Sequence, residues 1–285
     1  MHRLPVLWLI LGWIVLIPTR GFAQISCTRA GLQAAVDTYI AAQKKGDPSS
    51  LPRPTGLAYV ENLQRASIDT GILKLPLKID FHRSLLDVTT CQTFTEQIIT
   101  DKTHPYVIGT RLRVNGDKIA EIESIVTDED DWLFNAENYL RYSSAEDWSP
   151  IPAPQRDSRA TLIAAANAYL DAFLEGKTDR VPWGLPCNRT EGGMRTGRGQ
   201  PDDDCKVGVP SGVNIVNRRF IADEETGAVV VFNTFGQNGL PDTHLFRVEK
   251  GKLRFVHTLT VCTTPGCGFQ QRGRGQQGQP GRGQR

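Results

Sequence analysis

Apolar residues recur along this chain with two different periods. LQAAVDTYIAAQKKGD (residues 32–47) and LIAAANAYLDAFLEGKTD (residues 162–179) repeat small and large apolar side chains at helical spacing. Tyr39 and Tyr169 sit at matching positions in the two runs. Gly46 and Gly176 follow the last turns, where a glycine suits a C-cap. Residues 78–99, 111–127, 214–235 and 245–261 alternate instead, as half-buried strands do.

These segments align in pairs. Arg111–Thr127 matches Leu245–Val261, which sets Arg113 against Arg247 and Ile119 against Leu253. Lys78–Ile99 matches Asn214–Phe235, which sets Arg83 against Arg219 and Asp87 against Asp223. Each copy reads as a helix, a loop-rich excursion, and at least four strands ending in a hairpin. Asn115-Gly116 marks the first hairpin turn. Pro150, Pro152 and Pro154 fall between the copies and predict a stiff, extended linker. The expected plan is a signal at 1–23, a first domain at 24–142, a linker at 143–157, a second domain at 158–262 and a Gly/Gln/Arg-rich tail at 263–285.

The two ends change the picture. Arg3, an apolar run from Leu4 to Ile17, and Gly21 and Ala23 at the −3 and −1 positions form an export signal. The run is shorter than the roughly 20 residues a membrane-spanning helix needs. The expected mature chain begins at Gln24, is soluble and secreted, and keeps no membrane segment. Six cysteines in an oxidising compartment predict disulfides. Neighbourhood favours Cys27–Cys91, Cys187–Cys205 and Cys262–Cys267, although spacing alone permits other pairings. No Cys-x-x-Cys or His-Cys spacing supports a metal, and no cofactor is expected. Asn188-Arg189-Thr190 is an N-glycosylation sequon expected on a surface loop.

The net charge of +2 is uneven: residues 1–23 carry +2 and residues 268–285 carry +4, so the stretch between is net −4. A mildly acidic folded core argues against nucleic acid as its partner. Gly-x-Ser-x-Gly, P-loop and His-Glu-x-x-His patterns are missing from the sequence.

The helical opening, GLAYVEN (residues 56–62) and the closing hairpin resemble the cone-shaped α+β fold of nuclear transport factor, ketosteroid isomerase, scytalone dehydratase and the SnoaL-like cyclases. CTRAGLQAAVDTYIAAQKKGD, KIDFHRSLLDVTTCQTFTE and the stretch from SGVNIVNRRF to VHTLTVC are similar to a secreted fungal family known only as domain of unknown function 8021. The resemblance implies two tandem cone-shaped α+β domains. Each would pack an N-terminal helix on a curved antiparallel sheet, and the two would form an intramolecular pseudo-dimer around an oily hollow. It implies fungal secretion, and it transfers no catalytic residue.

Candidate chemistry centres on the second hairpin. Opposing Val248 with Leu253 also opposes Phe246 with Phe255 and His244 with His257. Two imidazoles about 5 Å apart on an apolar face resist double protonation, so at least one is expected below its free value. Thr110 and Glu123 hold the matching positions in the first copy. Arg83 and Arg219 lie on apolar strand phases and each demand an anion, either a ligand group or a protein carboxylate. Tyr59 and Glu61 border the expected cone mouth, with Trp183 as the rough counterpart of Tyr59. Glu121, Glu123, Asp202, Asp203, Asp204 and His82 read as solvated. The expected role is binding a small apolar ligand or an extracellular partner. The alternative is a cofactor-free isomerase, dehydratase or cyclase on a polyketide or terpenoid, with His244 and His257 moving protons and Arg219 steadying charge.

Overall fold

The computed structural model describes residues 25–264 and Cys267. The expected signal at 1–23, the start at Gln24 and the tail beyond Cys267 lie outside the described residues. Secondary structure runs α1 (Arg29–Lys45), β1 (Ala58–Glu61), β2 (Gln64–Arg65), β3 (Phe81–Asp87), β4 (Gln92–Ile99), β5 (Tyr106–Asn115), β6 (Lys118–Thr127), α2 (Ala136–Ser143), α3 (Arg159–Glu175), β7 (Trp183–Glu191), β8 (Met194–Thr196), β9 (Ile215–Asp223), β10 (Ala228–Phe235), β11 (Leu240–Glu249) and β12 (Lys252–Thr260). The result is a mixed α+β architecture with two six-stranded sheets, ordered β2-β1-β6-β5-β4-β3 and β8-β7-β12-β11-β10-β9. The sheets are not wholly antiparallel, because β1 runs parallel to β6 and β7 parallel to β12.

Helix ends follow the sequence signals. Thr28 Oγ1 accepts from the Gly31 amide, and Ser158 Oγ accepts from the Thr161 amide. Gly46 and Gly176 close the helices at φ 62° and 68°, where a Cβ is unfavourable. α1 buries Leu32, Val36 and Tyr39 against Leu112 and Ile122 of its sheet. α3 buries Leu162, Tyr169 and Phe173 against Phe246 and Val248 of the other. A further core lies between the two sheets, where Leu85, Phe94 and Ile125 meet Val230, Phe232 and Leu245.

Reciprocal bonds frame that contact. Asp223 accepts from the Arg29 guanidinium and the Leu86 amide, and Asp87 accepts from the Arg159 guanidinium and the Ala222 amide. Each half thus offers the arginine that opens its helix, α1 or α3, to the aspartate that closes β9 or β3 of the other half.

The stretch between the halves is not a bare spacer. α2 occupies residues that carry no strong pattern. The Ile151 amide donates to the Glu225 carbonyl, and Asp157 accepts from the Gly251 amide. All three favoured disulfides are present: Cys27–Cys91, Cys187–Cys205 and Cys262–Cys267. They fit an oxidising, extracellular setting. Asn188 is not on a surface loop. It lies within β7, 7% exposed, with its Oδ1 buried. No described helix is long and apolar enough to cross a membrane.

Candidate functional site

One polar cluster stands out inside the second half. β11 alternates, so Asp242, His244, Phe246 and Val248 share the face toward α3. Pairing with β10 and β12 then sets Asn233 and Thr260 beside Asp242. Asp242 Oδ2 lies 2.6 Å from His244 Nδ1 and accepts from Asn233 Nδ2 at 2.8 Å. Its Oδ1 accepts from Thr260 Oγ1 at 2.5 Å. A carboxylate only accepts, so Nδ1 carries a proton, and in the neutral ring Nε2 is a bare base.

Aromatic rings surround the imidazole. Tyr169, Phe173, Phe246 and Phe235 lie 5.6, 6.0, 6.0 and 6.4 Å away between centroids. Trp183 packs edge-on against Tyr169 at 5.8 Å. Burial pushes the Tyr169 hydroxyl above its ordinary pKa, which keeps it neutral. The Tyr169 hydroxyl is buried beside the Arg189 guanidinium, while Thr258 Oγ1 and Asn233 Oδ1 are buried without a hydrogen-bond partner. Arg189 closes one side: its Nε meets Glu191 at 2.7 Å, and its other nitrogens donate to the carbonyls of Cys205 and Val207. The hollow expected here is closed, because these side chains fill it and leave His244 only 1% exposed.

The first half holds no such dyad. By strand register Ile108 and Thr110 stand where Asp242 and His244 stand. The Tyr39 hydroxyl bonds Thr110 and accepts from Gln97, and Thr110 bonds Ser124. That neutral network satisfies its own hydroxyls.

The expected pairing of His244 with His257 does not form. A β-bulge between Arg247 and Val248 takes up one residue, so His244 faces Thr258 while His257 faces Leu245. The two histidines therefore point to opposite faces of the sheet. Opposition of Phe246 and Phe255 fails for the same reason, since Phe246 pairs with Val256. The first hairpin bulges at the matching place, between Arg113 and Val114.

His257 belongs to the contact between the sheets. Its Nδ1 lies 2.9 Å from Glu96 and its Nε2 2.7 Å from Glu146. Burial disfavours its charge, but the two carboxylates outweigh burial and raise its pKa to about 9. The expected lowering is thereby reversed. Burial likewise opposes ionisation of Glu96, yet His257, Arg83 and the Tyr139 hydroxyl bring it down to about 2. Arg83 pairs with Glu96 at 3.1 Å, donates to the Ser143 carbonyl and lies 4.3 Å over Trp148. Its anion is a protein carboxylate.

The other expected residues scatter. Arg219 binds Glu123 of the first half through both terminal nitrogens, at 2.5 and 2.6 Å, so its demand is met across the sheet contact. Glu123 is buried rather than solvated, and Glu121 pairs with Arg111 and Arg113. Tyr59 is buried in the first half and donates to Glu61, not to a cone mouth. Its register counterpart is Arg189 rather than Trp183, since Tyr59 pairs with Ile122 and Arg189 with Val256. Asp203 is also buried, accepting from the amides of Arg198 and Gln200. Of the residues expected at a site, His244 and Trp183 share the second-half interior. Asp242 escaped sequence reasoning, although its place two residues before His244 on an alternating strand was a usable signal. No group of three or more potential metal ligands occurs among the described residues.

Residues 155–260 match the model of a domain of unknown function (DUF8021), a span that runs from just before α3 to the end of β12. Among solved structures, the chain is similar to an NTF2-like protein of unknown function from Burkholderia xenovorans LB400. That likeness has 13% identity over 42% of this chain and 97% of the other, with a TM-score of 0.28. No curated protein matches.

Proposed function

We propose that the second half receives a small, flat, largely apolar molecule bearing one polar group, beside His244. The observation that carries this reading is the pair of buried polar atoms left unpaired at Thr258 and Asn233, amid aromatic rings. Buried polar atoms are almost always bonded, so such a pair points to a missing partner. Entry requires the wall to open, and the Cys187–Cys205 loop held by Arg189 is the natural segment to move. In this reading each half is a cone-shaped domain, the whole is a fused pseudo-dimer secreted by a fungus, and the first half serves as scaffold. Native mass spectrometry of protein taken from culture medium tests it. A bound small molecule, lost in His244→Ala and Tyr169→Phe, is expected; a bare mass under all loading conditions refutes it.

The 2.6 Å contact of Asp242 with Nδ1 favours a second reading, proton transfer on the same ligand. Nε2 would take a proton from the bound molecule and return it, as an isomerase, dehydratase or cyclase requires. His257, Arg83, Arg219 and Tyr59 have no part in it. His244→Asn should then keep binding but lower turnover at least about 100-fold.

A further inference from the structure

α2 lies against the short edge strand β8 and leaves a groove of about 340 Å³ at the seam of the two halves. Phe134, Tyr142 and Met194 supply apolar lining, and Asn138 and Arg195 supply polar edges. Strand register brings Arg195 there. His257 pairs with Thr190 and Thr190 with Arg195, so the three form one row on the face toward α2.

Two guanidiniums share one ring. Those of Arg141 and Arg195 lie 4.6 and 5.3 Å from the Tyr142 centroid. Arg141 donates to the Tyr142 hydroxyl at 2.7 Å and to Asn138 Oδ1 at 3.1 Å. Neither arginine forms an ion pair among the described residues, and Arg195 Nε is buried with no hydrogen-bond partner. The contrast is with Arg83, Arg159 and Arg219, each of which holds a carboxylate. Arg195 lines the groove as a cation without a counter-ion, which raises the local potential and favours an anion, and Arg141 on the same tyrosine adds to it. The apolar lining favours a flat body on that anion. The volume lies near the lower end of small-molecule sites, which begin at about 300 Å³.

We propose that this groove binds a small aromatic carboxylate, with its ring against Tyr142 and Met194 and its carboxylate received by Arg195, Arg141 standing beside it. The site shares no residue with the chamber around His244. Isothermal titration of the full chain with 4-hydroxybenzoate, its uncharged amide and sodium sulfate, at constant ionic strength, tests it. The carboxylate should bind at about 1 mM or tighter, and the amide and sulfate at least about tenfold more weakly. Arg195→Gln should weaken the carboxylate at least about tenfold, while His244→Ala leaves it unchanged. If Arg195→Gln does not fold, Tyr142→Leu should show the same loss. No binding at about 10 mM overturns the proposal, as do equal binding of the amide or full affinity in folded Arg195→Gln. Loss in His244→Ala with retention in Arg195→Gln assigns the binding to the chamber and also overturns it.

Discussion

His244 and His257 stand on the same hairpin and have opposite fates. His244 keeps one nitrogen free of any carboxylate, whereas His257 has a carboxylate at each nitrogen. A neutral imidazole has one N–H, so only the cation satisfies both Glu96 and Glu146. Because its folded pKa is raised to about 9 from an ordinary 6.5, its contribution is complete below about pH 6.5 and lost as pH rises through 9. The urea midpoint should therefore fall between pH 7 and 10, by on the order of 3 kcal/mol in unfolding free energy. In His257→Gln that alkaline slope should vanish. Glu96 behaves oppositely: held down at about 2, it stabilises above its ordinary pKa of 4.5 and loses that effect as pH falls toward 2. An acid-side slope that survives Glu96→Gln unchanged would contradict this assignment.

At the scale of elements, the turn between β7 and β8 explains how the halves hold each other. Gly192 and Gly193 have φ 57° and 133°, and a Cβ on Gly192 would lie 2.0 Å from the Trp132 carbonyl oxygen. The Asn135 amide donates to the Gly192 carbonyl at 2.6 Å, and Trp132 Nε1 reaches Glu191 at 3.4 Å. Gly116, at φ 62°, turns in open space. Alanine at Gly116 should cost about 1 kcal/mol, from backbone strain alone. Alanine at Gly192 should cost at least about 2 kcal/mol, because it also forces the halves apart. Denaturant titration of the two variants compares them, and equal losses would show that the turn does not bear on the contact. Removing Cys187 and Cys205 together should cost about 2–4 kcal/mol.

For the molecule as a whole, the exchanged bonds of Arg29 with Asp223 and Arg159 with Asp87 bind two sheets that already share an apolar core. Unfolding should therefore be a single transition. Asp87→Ala should lower its midpoint by about 3 kcal/mol, because Arg159 and the Ala222 amide lose their acceptor, and Asp223→Ala by less, because Arg29 keeps Glu225. Calorimetry showing two transitions, or one variant silent, would argue against a mutual lock. The apolar periods led to the two long helices, the strands of the paired hairpins and their order, and cysteine neighbourhood led to the three disulfides. The helices and strands depend on local spacing, and two of the disulfides join cysteines only 18 and 5 residues apart, which a sequence displays.

What the chain order displayed poorly was the side of the sheet on which each residue falls. A bulge is one extra residue with no strong signature, and it inverts everything beyond it. The His244–His257 pair was lost to that, and the Asp242–His244 dyad was found only once β10, β11 and β12 were in register. The anions for Arg83 and Arg219 were likewise undecided by sequence, because Glu96 and Glu123 become partners only when sheets and strands meet. The amino-acid sequence by itself determined α1, α3 and the strands β3 to β6 and β9 to β12, since their periods are local, but not α2 or β7. Only the tertiary structure decided which charges and rings face one another, since those distances depend on register and on the packing of two sheets.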